Sequence, residues 1–342
     1  MAPEKIAGDL PDTVMAIAQG HTASAALKAA VDLELFTHIA HGLDTAEKLA
    51  GKKGTPLRSM RILCNALVSF GMLRKSGGRY ELPAAVSAML VKGSPGYMGG
   101  MMAITGSRTL WNELARLSDV VKAGHTLIET GSAEAADNPF WEDFARGSRL
   151  MAQMTGPIIA DTLAPIFGTA GPRRVLDIAC GSGFYGISVL KKFPEARLTS
   201  VDWAKVLKVA ELNARQAGVA DRVEFRPADV FNDDLGSGYD LVMAVNIYHH
   251  FSPDKCIELS RRLHDAAAPG AHLAMVDMIP DESREKNQFA LAFALTMLIW
   301  THEGDTYTLS EYRKILESGG WHDIEFKPVS GPMPSQLIIA KQ

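Results

Sequence analysis

Between Val14 and about Ile39, apolar residues recur at helical spacing (Met15, Ile17, Ala18, Ala25, Leu27, Ala30, Leu33, Phe36) with one interruption around Gly20 and His21. This pattern predicts two packed helices. Asp44-Thr45-Ala46-Glu47 reads as the capped start of a short helix, and Thr55-Pro56, with proline at the first helical position, opens a longer one through Leu73. Residues 74–82 (RKSGGRYEL) then alternate around Gly77-Gly78 as a small hairpin does. Helices followed by a hairpin describe a winged-helix unit over residues 1–100. From 84 to 170 the pattern predicts more helix, broken at Gly93-Ser94-Pro95-Gly96 and at Asp137-Asn138-Pro139, with one long, largely helical stretch from Phe140 to Phe167. Residues 101–170 are expected to be a helical connector that contributes to a substrate pocket.

The periodicity changes at Pro172. Short β-branched runs now alternate with amphipathic helices: 175–179 (VLDIA), 198–201 (LTSV), 223–227 (VEFRP), 240–245 (DLVMAV) and 272–277 (HLAMVD). A helical stretch carrying Phe289, Phe293, Met297 and Trp300 follows, then a helix from Leu309 to Gly319, with closing strands near Ile324 and Leu337. Strand and helix in alternation require crossovers, hence a mostly parallel, doubly wound α/β sheet of seven strands over residues 171–342.

Composition narrows the partners. A chain of 342 residues suits two domains, and a net charge of −4 offers no bulk attraction to nucleic acid or an anionic membrane. Cys64, Cys180 and Cys256 are far apart, with no C-x-x-C pair, which argues against a disulfide framework or a structural zinc site and suits a reducing, cytoplasmic setting. The first residues (MAPEKIAGDLPD) lack the apolar core of an export signal, and no run reaches the roughly 18 apolar residues of a membrane span.

The chemistry concentrates between residues 175 and 231. Val175-Leu176-Asp177-Ile178-Ala179-Cys180-Gly181-Ser182-Gly183 reads as a buried strand running into a glycine turn and a helix, and Gly181 and Gly183 let a ligand approach the backbone. Read loosely, Gly181-x-Gly183-x-x-Gly186 with Asp202 about 20 residues on is also a dinucleotide fingerprint. Asp177 separates the two readings. A carboxylate beside the turn repels a pyrophosphate but attracts the ammonium and sulfonium of S-adenosyl-L-methionine, which carries no phosphate. Asp202 can accept both ribose hydroxyls, Asp229 the adenine amino group, and Phe231 can cover the ring. The alternative for any one of these acids is a helix cap. Together they define an expected cofactor set of Asp177, Gly181, Gly183, Asp202, Trp203, Asp229, Val230, Phe231 and Asn246.

Over nearly its whole length the chain resembles the two-domain small-molecule O-methyltransferases, which include plant caffeate-type enzymes and bacterial secondary-metabolite enzymes. The resemblance implies a Rossmann-like class I methyltransferase domain, an N-terminal winged-helix unit that makes a homodimer, a small and aromatic acceptor, and S-adenosyl-L-homocysteine as product. The usual family turn D-V-G-G-G-x-G is here Asp177-Ile178-Ala179-Cys180-Gly181-Ser182-Gly183. The family's L-H-D-W segment matches Tyr248-His249-His250-Phe251, which implies His249 as general base and puts His250 where the family has an acid. Of the two acids flanking that base, the first matches Asp277; the second falls at Thr306, with Asp305 next to it. A histidine, with an ordinary pKa of about 6.5, suits the removal of a phenolic proton.

Met151, Met154, Phe293, Met297 and Trp300 are candidates for an aromatic acceptor's pocket, although stripes of this kind are more often core. His302 is a weaker candidate for the same cavity. The adjacent His249 and His250 are expected to point apart and hold no metal. Transfer to carbon or nitrogen fits the same residues. A DNA-binding regulator is disfavoured because the helix from Thr55 to Leu73 carries only Arg58, Arg61 and the terminal Arg74, and a nicotinamide-dependent oxidoreductase is disfavoured by Asp177.

Overall fold

A computed structural model describes residues 10–128, 138, 140–329 and 335–342. The chain divides into two compact units, Met1–Arg108 and Thr109–Gln342. The break expected at Asp137-Asn138-Pro139 falls, apart from Asn138, outside the described residues, as do the first nine residues.

The first unit runs α1 (Leu10–Asp32), α2 (Leu35–Ala40), α3 (Ala46–Lys53), α4 (Leu57–Ser69), β1 (Arg74–Ser76), β2 (Arg79–Glu81), α5 (Ala84–Leu90) and α6 (Gly99–Thr105). The helix interruption expected at Gly20 and His21 is not there: α1 continues through both. One exposed glycine costs a helix only about 1 kcal/mol, and the alanine-rich turns around it outweigh that. The chain breaks instead at Leu33-Glu34, where Glu34 adopts a left-handed φ of 52°. Pro56 is the N-cap of α4 rather than its first helical residue. Thr45 caps α3 by accepting the Lys48 N–H. Phe36, Leu49, Met60, Cys64, Leu67 and Tyr80 meet in one core, and β1 pairs antiparallel with β2.

From α7 (Arg108–Ala115), whose first residue closes the first unit, the second unit runs through α8 (Leu117–Ala123), α9 (Phe140–Gly147) and α10 (Arg149–Phe167), so the single long stretch expected from Phe140 to Phe167 is two helices divided at Ser148. There follow β3 (Arg174–Ile178), α11 (Phe184–Lys192), β4 (Arg197–Asp202), α12 (Ala204–Gln216), β5 (Val223–Pro227), β6 (Tyr239–Val245), α13 (Pro253–Ala266), β7 (Ala267–Asp277), α14 (Gln288–Trp300), α15 (Leu309–Ser318), β8 (His322–Val329) and β9 (Ser335–Lys341). Among the described residues seven strands form one sheet in the order β5-β4-β3-β6-β7-β9-β8. The first five run parallel, and β9 runs against both of its neighbours.

The alternation of side chains across the sheet decides what each face packs against. Leu176, Ile178, Val242, Ala244, Leu273 and Met275 share a core with Leu259 and Leu263 of α13 and Tyr312 and Leu316 of α15. Val175, Leu241, Met243, Ala274 and Val276 pack with Ile159 and Leu163 of α10 and Ile187 and Leu190 of α11. With both faces covered, the central strands are nearly continuous apolar runs, broken in β3 by Asp177, which is why they are legible in the sequence. The order reverses between β3 and β6, and at such a switch point the carboxyl ends of the strands leave a crevice.

Candidate functional site

That crevice is a cleft of about 300 Å³ lined by Trp141, Ala179, Asp202, Trp203, Ala228, Asp229, Val230, Phe231, Ile247, His250, Phe251, Ser252, Lys255, His302 and Glu303. Five of the nine expected cofactor residues line it: Asp202, Trp203, Asp229, Val230 and Phe231. Asp177, Gly181, Gly183 and Asn246 lie on the neighbouring strand ends but do not line it.

The turn after β3 is built on left-handed backbone at Ala179 (φ 48°), Gly181 (φ 55°) and Gly183 (φ 76°). A Cβ on Gly183 would stand 3.1 Å from the Cβ of Ala210, so glycine lets α11 pack against α12. At Ala179, where the similar family carries glycine, the side chain holds a conformation that costs an L-residue roughly 1 kcal/mol or more. The Asp202 carboxylate fixes the turn: its Oδ2 accepts the Gly181 N–H at 2.8 Å and its Oδ1 the Trp203 N–H at 2.7 Å. Each oxygen keeps a further lone pair for an incoming hydroxyl. Burial raises Asp202 to about 6.

Asp177 is 1 % exposed, and its Oδ2 has no hydrogen-bond partner. Burial, reinforced by the charge on Asp202, pushes its carboxyl up to about 7. Asn246 follows β6 with a left-handed φ of 56°, and its buried Oδ1 is likewise without a partner. Tyr185, in the first turn of α11, is hydrogen-bonded by Thr155 of α10 and by Asn246. Buried acceptors that lack donors cost stability and are suited to a ligand bringing positive charge and N–H groups. This set of acceptors therefore fits the cationic end of S-adenosylmethionine.

On the far wall Phe231 meets Phe251 edge-on at 4.8 Å, and the Lys255 ammonium lies 4.9 Å from the Phe231 ring centre. Asp229 faces the cleft but already accepts the Phe231 N–H at 2.8 Å and the Asn232 amide at 2.7 Å, so it also holds the local turn.

His249 and His250 occupy a single helical turn, residues 248–250, and both are buried. His249 Nδ1 stands 2.6 Å from Asp277 Oδ1, at the end of β7. Asp277 is fully buried and also accepts the Met278 N–H at 2.8 Å and the Tyr312 hydroxyl at 2.7 Å. The two histidine rings do not point apart as expected, because the tight turn leaves their centres 4.5 Å apart. His250 lines the cleft, with Trp141 edge-on at 5.4 Å and its Nδ1 unpartnered. Burial, then the charge of His249, lowers His250 well below the ordinary histidine range. Among the described residues no group of three or more His, Cys, Asp or Glu side chains is gathered as a metal would require.

The five pocket candidates fare differently. Phe293 of α14 stands edge-on to His249 at 4.9 Å. Met151 and Met297 are buried, and Trp300 packs with Phe140, Leu110 and Val120. Met154 is 47 % exposed on α10. Thr306 is fully buried with its hydroxyl unpartnered, while Asp305 accepts the Thr306 N–H.

Sequence reasoning missed Trp141, Lys255 and Glu303 in the cleft, and Tyr312 behind Asp277. Trp141, Glu303 and Tyr312 reach the site from other parts of the chain, whereas Lys255, one helical turn after Phe251, could have been found from the histidine segment itself. Gly304 was also missed: a Cβ there would stand 2.4 Å from the carbonyl oxygen of His249, so only glycine lets the segment after α14 press on the histidine turn.

A family model for an O-methyltransferase domain matches residues 124–322, and one for an O-methyltransferase dimerisation domain matches residues 15–93. The chain belongs to the O-methyltransferase family. It is similar to a protein of Nostoc punctiforme PCC 73102 assigned to the O-methyltransferases, with 34 % identity, 97 % of this chain and 99 % of that one covered, and a TM-score of 0.91. It is 26 % identical to the 3-hydroxy-5-methyl-1-naphthoate 3-O-methyltransferase of Streptomyces sahachiroi over 96 % of this chain and 94 % of that protein. Human N-acetylserotonin methyltransferase, solved in complex with SAM, shares the fold at a TM-score of 0.80 with 22 % identity. No helix among the described residues is long and apolar enough to cross a membrane.

Proposed function

We propose that this chain methylates a hydroxyl on a small, aromatic acceptor of the secondary-metabolite kind, with His249 as general base and Asp277 as its partner. The single observation that carries this reading is the 2.6 Å contact between His249 Nδ1 and the buried Asp277 carboxylate. The carboxylate holds Nδ1 protonated, which leaves Nε2 as the acceptor of a proton. Phe293 against the imidazole and Trp141 against His250 suit a flat acceptor, in keeping with the naphthoate methylated by the Streptomyces sahachiroi relative.

When bound, S-adenosylmethionine supplies an electrophilic methyl on a sulfonium and leaves as S-adenosylhomocysteine. For this chain's residues the consequence is placement. Asp202 takes the ribose hydroxyls on its spare lone pairs, Phe231 and Val230 cover the adenine, and Asp177 with Asn246 and Tyr185 receives the cationic end. We further assign residues 1–100 to homodimerisation, residues 101–170 to a connector that helps shape the pocket, and residues 171–342 to the cofactor domain, in a reducing, cytoplasmic setting.

The test is incubation with methyl-labelled S-adenosylmethionine and a panel of phenols, enols and heterocyclic acceptors, with the new methyl located by mass spectrometry and NMR. Label on a phenolic or enolic oxygen is the expected result, whereas label on carbon or nitrogen alone would remove the hydroxyl assignment. Calorimetric titration with NADH should give no binding heat.

A further inference from the structure

The hydrogen bonding of Asp277 reaches one step beyond His249. Oδ1 of the carboxylate accepts from His249 and from the Met278 N–H, and Oδ2 accepts from the Tyr312 hydroxyl at 2.7 Å. All three donors are fixed. The Met278 N–H is backbone directly after β7. Tyr312 lies on α15, whose first turn is locked by reciprocal bonds between Thr308 and Glu311 and by Arg284, which donates to Glu311 at 2.7 Å and to the Thr306 carbonyl at 2.8 Å. Its ring is held between Tyr248 and Tyr307, with centres 6.2 and 5.6 Å away. Asp277 and Tyr312 are both 0 % exposed, so water does not replace that bond if it is lost.

We propose that Tyr312 is a positioning residue for the base: by clamping Oδ2, it sets the orientation of the Asp277 carboxylate and limits the charge that Oδ1 presents to His249. This rests on the reading of His249 as base. The physical reason is competition for one anion. A carboxylate in a dry site concentrates its charge on whatever donors remain, so removing the phenol strengthens the pull on the imidazole N–H. The other titratable groups facing Asp277 and Tyr312 do not take over. Burial raises the Cys256 thiol and the Tyr307 phenol and lowers His250, which leaves all three neutral. Asp305 and Glu311 act on Tyr307. Burial and the Asp277 charge also raise Tyr312 well above the ordinary phenol range, which keeps it a donor.

The test needs no methyl acceptor. The His249 Nδ1–H proton is observed by low-field proton NMR on the full chain and assigned by its loss in His249→Gln. In Tyr312→Phe the resonance should move further downfield. Replacing Tyr312 by 3-fluorotyrosine, which keeps the ring and strengthens the donor, should move it upfield. Opposite shifts support the proposal, and a fluorinated protein with the wild-type resonance overturns it whether or not Tyr312→Phe folds. Turnover of His249→Ala is measured separately: a wild-type rate there would defeat the base assignment while leaving the resonance shifts to decide on Tyr312.

Discussion

Asp177 and Asp202 end adjacent parallel strands and face one another electrostatically, so that the charge on Asp202 adds to burial in holding Asp177 at about 7. A carboxyl raised from its ordinary 3.8 contributes stability that is complete below about pH 4 and is lost as pH rises through the folded value. The ligand-free protein should therefore melt lower at pH 8 than at pH 5. Asp177→Asn should raise the melting temperature at pH 8 by roughly 3–6 °C and much less at pH 5. Calorimetry at the two values checks this, and an equal shift at both would show that charge is not the cause.

Asp202 holds the glycine turn and offers two lone pairs to the cleft. Asp202→Ala should weaken S-adenosylmethionine binding by about tenfold or more, the scale of one or two hydrogen bonds to a charged group. Titration calorimetry reads the dissociation constant directly. A wild-type value would undo the ribose assignment.

Removing the imidazole should separate chemistry from binding. His249→Ala should lower turnover about 10²-fold or more while cofactor affinity stays within about twofold. Turnover with an accepted phenol, together with a binding titration, makes the comparison. An unaltered rate would take His249 out of the reaction.

Gly304 presses its backbone on the histidine turn with no space for a methyl group. Gly304→Ala should displace that turn, costing roughly 1–3 kcal/mol of stability, with a fall in turnover that exceeds the loss of cofactor affinity. Thermal melts and steady-state kinetics measure both. A variant with wild-type kinetics would mean that the contact yields without moving His249.

The dimerisation-domain match covers most of α1, and Val14, Met15 and Ile17, between 55 and 70 % exposed around that helix, leave apolar surface that suits a second copy of the chain. Met15→Glu combined with Ile17→Glu should convert a dimer to a monomer in sedimentation velocity without loss of helix content. A double variant that remains dimeric would place the interface elsewhere.

How far the sequence revealed all this depended on how local each cause was. The strands and the acids at their ends were legible because burial on both faces enforces nearly continuous apolar runs, and an acid beside a glycine turn is a local signal. VEFRP coincides with β5 at both ends. The α1 break was misplaced because a glycine reads as a stop, whereas the helix around Gly20 is strong enough to absorb it. Trp141, Glu303 and Tyr312 were invisible because they reach the site from distant positions, with Tyr312 lying 35 positions beyond Asp277; no periodicity encodes such a meeting. Ala179 shows the opposite failure: its left-handed backbone is the reason a glycine is usual there, and the residue itself conceals it.

The segment pressing on the histidine turn leaves the sheet after β7 and does not rejoin it until β8, carrying Phe293, His302, Glu303 and Gly304 on the way. The strand-end acids belong to an interlocked sheet in which a change at one position is felt by its neighbours, whereas this excursion can be rebuilt between two fixed anchors. Substitutions on the outer part of that excursion leave the sheet untouched, whereas Gly304 and Tyr312, which meet the histidine turn and Asp277, tie it to the strand ends.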